Sequence, residues 1–210
     1  MNRRRPRRVS DSARSRQRPH ATSRSGRGQL RLIGGEFRRR KLPIPDSPGL
    51  RPTPDRVRET LFNWLAFDIA GRRVLDLYSG TGALGLEALS RGAAQATFVE
   101  STAPVAKALE ANIATLGAAG HVFSVPVERF LATSSSKFDL VFLDPPFRQG
   151  LAVKTCLDLE MGDWLASDAV IYVETEHELA WSPPVPWQLH REIIAGDSHG
   201  RLFRRQSGTG

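Results

Sequence analysis

Two stretches of the chain combine residue types and spacings that can do chemistry. The first is Asp144-Pro145-Pro146-Phe147, which ends the apolar run from Phe138 to Leu143. Two prolines stiffen that turn and fix its backbone. The Asp144 carboxylate and the Pro145 carbonyl can then both accept hydrogen bonds from one NH₂ group. Phe147 offers a flat face on which a base can stack. The second stretch is Asp76-Leu77-Tyr78-Ser79-Gly80-Thr81-Gly82, where an apolar run gives way to a turn of small residues. A glycine turn between strand and helix brings backbone N–H groups up to a ligand. A Cβ at Gly80 or Gly82 would collide with what binds there. Glu100 closes the next apolar run, with Ser101 beside it. A carboxylate at that strand end can accept both hydroxyls of a ribose.

Two cofactors compete for the glycine turn. Gly80, Gly82 and Gly85 give the G-x-G-x-x-G spacing of a dinucleotide site. An S-adenosylmethionine loop instead wants an acid inside the strand, and Asp76 is placed for that. It can hold the loop amides or the cofactor's ammonium group, whereas a pyrophosphate gains nothing from a carboxylate. Asp-Pro-Pro-Phe decides between them, because (Asp/Asn)-Pro-Pro-aromatic is the signature of methyltransferases that modify an exocyclic amine. No His/Cys/Asp cluster has ligand spacing, and no metal is expected.

These residues need strands to carry them. Val74 to Tyr78, Ala96 to Glu100, His121 to Val127, Phe138 to Leu143 and Ala169 to Glu174 read as buried strands. Helices are expected from about Leu84 to Gly92, Thr102 to Leu116 and Leu151 to Leu165, and Trp187–Ile194 with Arg201–Arg205 as a closing antiparallel pair. The alternation predicts an α/β, Rossmann-like fold with a mostly parallel sheet. Every proposed cofactor or catalytic residue then lies at a strand carboxyl end, where such sheets bind ligands. Adenine is expected just past the third strand, beside Val127, Glu128 and Phe130. The polar loop Thr133–Ser136 has no assigned chemistry, and Cys156 reads as packing.

Composition bounds the rest. Of 210 residues 40% are apolar, enough for a core, and the lone cysteine excludes a disulfide framework and suits a reducing cytoplasm. No apolar run approaches a membrane span. The net charge of +8 divides unevenly: +9 over residues 1–28, +4 over 29–60 and −5 beyond. The 1–28 segment, built of Arg, Ser, Pro and Gly, is expected to be a disordered polyanion-binding tail. Its composition also resembles a transit peptide, but it has no apolar face, and Pro6 and Pro19 interrupt it. Residues 29–68 read as a basic docking module. Leu30 to Leu42 makes a hairpin, followed by a proline-punctuated loop. A helix capped by Thr53 then runs to about Phe67, with Val57, Leu61, Trp64 and Leu65 on one face. Arg38, Arg39, Arg40, Lys41, Arg51, Thr53, Arg56 and Arg58 are the candidate nucleic-acid contacts. Residues 69–206 form the cofactor-binding catalytic domain.

Over about residues 30–205 the chain resembles the bacterial small-subunit (16S) ribosomal RNA guanine-N2 methyltransferases. The resemblance rests on Arg31-Leu32-Ile33-Gly34-Gly35, Arg40-Lys41-Leu42, the run Gly49-Leu50-Arg51-Pro52-Thr53-Pro54-Asp55-Arg56-Val57-Arg58-Glu59 and its helix, Asp76 through Ala93, and Asp139 through Phe147. It implies S-adenosylmethionine as donor, bound through Asp76, Tyr78, Ser79, Gly80, Thr81, Gly82, Glu100, Ser101, Val127, Glu128 and Asp144. It implies a guanine N2 amine of 16S rRNA, within the small ribosomal subunit, as acceptor. Asp144, Pro145 and Phe147 would do the chemistry, in a cytoplasmic monomer. The chain departs from the pattern at Pro126-Val127-Glu128, where the family commonly shows an Asp, and at Phe147, where Tyr is common. Two other readings fit parts of the sequence. A DNA adenine-N6 or cytosine-N4 methyltransferase would use the same Asp-Pro-Pro-Phe but normally carries a larger target-recognition insert. A non-catalytic RNA-binding assembly factor could keep the same fold.

Overall fold

The computed structural model describes residues 28–47, 50, 54–133 and 136–206. The basic segment 1–27, Arg51 and Thr53 lie outside the described residues. The chain opens with an antiparallel hairpin, β1 (Gln29–Arg31) and β2 (Lys41–Pro43), in which Leu30 faces Leu42. Next come α1 (Asp55–Trp64), β3 (Arg73–Leu77), α2 (Ala83–Ser90), β4 (Gln95–Val99), α3 (Ala103–Leu116) and β5 (Gly120–Phe123). The second half adds α4 (Val127–Leu131), β6 (Phe138–Leu143), α5 (Leu151–Met161), β7 (Leu165–Glu176), β8 (Trp187–Ala195) and β9 (Ser198–Arg205).

Seven strands form one sheet in the order β5-β4-β3-β6-β7-β9-β8. The five from β5 to β7 are parallel, while β9 runs antiparallel to both β7 and β8. The chain works outward from β3 to β5 and then returns to lay β6 on the other side of β3. That reversal opens a crevice at the carboxyl ends of β3 and β6, the place where open α/β sheets bind ligands.

Period-two alternation along the strands divides the core between the two faces. Val74, Phe98, Leu140, Phe142, Val170, Tyr172 and Leu202 face the hairpin, α1, α2 and α3. Leu75, Leu77, Val99, Val141, Leu143, Ile171 and Phe203 face α4 and α5. Leu30, Leu32, Leu42, Leu61, Phe62 and Leu65 belong to the first of these cores. The hairpin and α1 therefore share their packing with the sheet.

Several boundaries differ from the sequence expectation. The third sheet strand stops at Phe123, not Val127. Pro126 has no N–H for a ladder bond, and at φ −58° it caps α4 instead, so Val127 and Glu128 begin a helix. Helix α5 ends at Met161, and after the turn through Gly162 and Asp163 the chain enters β7 at Leu165. Helix α1 stops at Trp64 and leaves Phe67 fully exposed; its N-cap is Pro54.

Candidate active site and RNA-docking face

The cofactor turn is held by its own side chains. Ser79 Oγ donates to the Asp76 carbonyl at 2.5 Å and accepts the Val99 N–H at 2.9 Å, tying β3 to β4. Tyr78 adopts φ +57°, a costly conformation for a non-glycine residue, and its hydroxyl contacts Thr155 Oγ1 at 3.0 Å. Such strain recurs at functional turns. Gly80 and Gly82 have φ of +50° and +74°. The crowding at Gly82 and Gly85 comes from the protein itself: a Cβ would lie 2.4 Å from Leu109 Cδ1 at Gly82 and 2.3 Å from the Phe98 ring at Gly85. At Gly80 the nearest neighbour of a Cβ is Leu50 Cδ1, at 3.2 Å, so the proline-rich loop reaches the turn.

Two carboxylates frame this loop. Asp76, 3% exposed, accepts the Gly85 N–H at 2.9 Å. Burial pushes its pKa up to about 8; the Gly85 bond opposes this and the charge of Glu100 adds to it. Glu100 accepts the Gly80 N–H at 2.9 Å and the Thr102 N–H at 2.7 Å, bridging the ends of β3 and β4. A carboxylate has about four acceptor positions, so two remain for ribose hydroxyls. Thr81 is buried in the turn and Ser101 is exposed beside Glu100. Val127 is buried and Glu128 exposed in the first turn of α4, with Phe130 stacked obliquely on Phe123 at 5.0 Å.

Asp144 leaves the end of β6 beside this loop. Its backbone neighbours fix its direction: Leu143 pairs with Leu77 on one side and Val173 on the other, all three buried toward α5. The next residue must point to the opposite face, the face of Asp76. Pro145 is buried; Asp144 and Phe147 are part-exposed. Burial, then Glu174, then Asp76 hold the Asp144 carboxyl well above the usual carboxylate range. Glu174, near the end of β7, reads in the sequence only as the end of a strand. It is 6% exposed and accepts the Ser198 hydroxyl at 2.5 Å and the Tyr172 hydroxyl at 3.1 Å. The lining is thus acidic, with Asp76, Glu100 and Asp144, while Glu174 stands on the adjacent strand with both oxygens taken by Ser198 and Tyr172. Carboxylates suit the sulfonium, ammonium and ribose groups of S-adenosylmethionine and oppose a pyrophosphate, so these residues fit that cofactor and disfavour NAD. Among the described residues no group of three or more His, Cys, Asp or Glu could hold a metal ion.

The basic hairpin sits on the far end of α2. Wholly buried Glu87 accepts the Ile33 and Gly34 N–H groups, each at 2.8 Å, and the Arg91 Nε–H at 2.8 Å. Ser90 Oγ donates to the Gly34 carbonyl and accepts the Phe37 N–H. A Cβ on Gly35 would lie 1.7 Å from the Ser90 carbonyl oxygen, which requires glycine there. Glu87 could have been noticed as the single acid in an otherwise apolar helix. Arg38, Arg39, Arg40, Lys41 and Arg56 are exposed. Arg58 is not, which corrects its expected role. It is 1% exposed, and its Nη2 bonds Asp55 at 2.6 Å and the Arg31 carbonyl at 2.9 Å. It braces α1 against the hairpin and has no surface to offer a phosphate.

A parallel sheet with one reversed strand, β9, between β7 and β8, a glycine turn at the switch point and Asp-Pro-Pro-Phe on the neighbouring strand end define a Rossmann-like class I S-adenosylmethionine-dependent methyltransferase. The chain belongs to the family whose model is described as Conserved hypothetical protein 95, matched over residues 30–204; this is the family of the ribosomal RNA small subunit methyltransferases D. It is 53% identical over 186 residues to Ribosomal RNA small subunit methyltransferase D of Escherichia coli (strain K12), covering 87% of this chain and 93% of that one. The protein of the same name from Haemophilus influenzae is 42% identical over 185 residues, covering 86% and 96%. Among solved structures, a putative methyltransferase yhhF from Escherichia coli superposes with a TM-score of 0.81 at 51% identity, covering 86% of this chain and 99% of that one.

Proposed function

We propose that the protein transfers the methyl group of S-adenosylmethionine to the exocyclic N2 amine of a guanine in 16S rRNA of the small ribosomal subunit. Family membership supports the coarser part, methylation of small-subunit rRNA. The observation that supports an exocyclic amine as acceptor is Asp144-Pro145 at the switch point with the Phe147 ring part-exposed beside it, and the choice of guanine N2 rests on the family resemblance. The bound donor supplies a sulfonium-activated methyl group, so the protein's task is alignment. Asp144 and Pro145 hold the NH₂ and turn its lone pair toward the methyl, and Asp144 offsets positive charge arising on nitrogen. Phe147 stacks the extruded base.

In this reading Asp76, Tyr78, Ser79, Gly80, Thr81, Gly82, Glu100 and Ser101 surround the donor's methionine and ribose parts, and Val127 and Glu128 its adenine. Arg38, Arg39, Arg40, Lys41, Arg51 and Arg56 contact RNA phosphates, with Thr53 in the same loop and the 1–28 tail adding non-specific affinity. The protein works as a monomer in the cytoplasm. The test is methyl transfer from labelled donor to small subunits lacking the modification, naked rRNA and duplex DNA, followed by nucleoside analysis. Label on guanine N2 is the expected result. Label on adenine N6 or cytosine N4 would overturn the assignment, and no label on any substrate would favour an assembly factor.

A further inference from the structure

Glu174 has no part in cofactor or RNA binding as read above, yet the fold builds it with care. Leu143 and Val173 are register partners on β6 and β7, so Asp144 and Glu174 leave adjacent parallel strands at the same level. Both point to the face that carries Phe142, Tyr172 and Asp76. Both Glu174 oxygens are held, Oε1 by Ser198 on β9 and Oε2 by Tyr172 two residues back along its own strand. The Tyr172 hydroxyl reaches it only because Gly200 lies opposite: a Cβ on Gly200 would be 2.2 Å from that oxygen. Glu174 and Gly200 are themselves register partners. A glycine inside a strand costs stability, and here it makes room for one hydroxyl. A buried carboxylate with two fixed hydroxyl donors, one strand from the reacting group, is an electrostatic device for its neighbour.

We infer that Glu174 is a positioning residue that makes Asp144 the acceptor of the proton lost by the amine during methyl transfer. The inference rests on the exocyclic-amine reading above. The nitrogen lone pair forms the new bond to the methyl carbon, and the carbon–sulfur pair departs with the thioether. One N–H proton passes to an Asp144 carboxylate oxygen, which leaves the methylated amine neutral. The charged or titratable groups acting on Asp144 are Glu174, with the Tyr172 hydroxyl beside it, on β7 and Asp76 on β3. Negative charge at Glu174 raises the proton affinity of Asp144 toward the working pH, where a general base is most effective. A sulfonium bound beside it would oppose this and favour the ionised, accepting form of Asp144.

The test is Glu174→Gln, which keeps an acceptor for Ser198 and a polar partner for Tyr172 while removing the charge. In ¹³C-carboxyl NMR of the donor-free protein, with Asp144→Asn used to assign the signal, the Asp144 midpoint should fall. In single-turnover transfer the acid limb should move to lower pH in step with that midpoint, and the plateau rate should fall ~10-fold or more. Calorimetric affinities for S-adenosylmethionine and RNA should stay within about twofold of wild type. Tyr172→Phe, which only loosens the Glu174 carboxylate, should shift the Asp144 midpoint the same way by less, and it carries the test if Glu174→Gln does not fold. An unmoved Asp144 midpoint in a folded variant overturns the inference, as does a slower plateau with an unmoved acid limb. Failure of the functional reading shows separately, as wild-type protein that does not methylate an exocyclic amine while the NMR shift persists.

Discussion

A Cβ placed on Gly82 would lie 2.4 Å from Leu109 Cδ1, the side chain by which α3 packs against the cofactor turn. The glycine's φ of +74° adds a second obstacle to any side chain. Gly82→Ala should therefore destabilise the donor-free protein by about 1–3 kcal/mol, from backbone strain and overpacking together. Thermal unfolding without ligand reads this directly. If unfolding is unchanged and only donor affinity drops, the glycine answers to the ligand and the packing argument fails.

Arg58 and the exposed arginines should behave oppositely. Arg58→Ala removes a buried cation and leaves Asp55 with Arg31 as its remaining partner. Asp55 is 45% exposed and keeps Arg31, so the cost comes from the emptied space and the unpaired Arg31 carbonyl, about 1–3 kcal/mol, and denaturation midpoints should show a loss of that order. Arg38, Arg39 and Arg56 changed together to Ala should leave unfolding nearly unchanged. RNA affinity should fall, and its salt slope should flatten by up to about one unit per lost phosphate contact. A triple variant with wild-type affinity and slope would move the docking face elsewhere.

Asp76 makes stability depend on pH in an unusual direction. Its carboxyl sits near 8 in the fold against an ordinary 3.8, so the folded chain holds a proton that the unfolded chain gives up. The stability this group contributes is full below about pH 4 and is lost as pH rises through about 8. Donor-free protein should unfold at lower denaturant at pH 9 than at pH 6, and Asp76→Asn should shrink that difference, leaving the share that the raised Asp144 carboxyl contributes. If the donor's ammonium group takes the ionised form, cofactor binding near neutral pH releases a proton, visible as binding heat that varies with buffer ionisation enthalpy. Equal heats in all buffers would argue against Asp76 as the ammonium partner.

Asp144→Ala should abolish methyl transfer while leaving donor and RNA affinities nearly whole, because the carboxylate serves one amine at the point of attack. Quench-flow with saturating RNA separates the two effects. Near-normal rates in this variant would refute the proposed chemistry.

Much of this arrangement was legible in the chain. Val74–Tyr78 and Phe138–Leu143 are apolar runs closed by turn residues, and a parallel sheet buried on both faces needs such strands. The acid and glycines of the turn then fell on one edge. What escaped was set by neighbours distant in sequence. Glu174 gains meaning only once β7 is known to lie beside β6 in the Leu143–Val173 register. Arg58 reads as one more basic residue in a basic run, and its burial depends on a carbonyl 27 residues away in β1. Beyond Phe123 the short apolar stretch through Leu131 fits strand or helix, and Pro126 tipped it to helix.

Helix α2 has only eight residues, a rod of about 12 Å. Gly82 caps its start, and its last turn carries Ser90, pressed against the hairpin at Gly35. The glycine turn and the basic loop are thus gauged from opposite ends of one rigid spacer. On the proposed reading, the separation between a gripped phosphate and the reacting amine becomes a fixed length, and a nucleotide whose strand geometry matches that length would be the one to bring its base to Asp144. Lengthening α2 by a turn would leave each end intact and detune the distance between them.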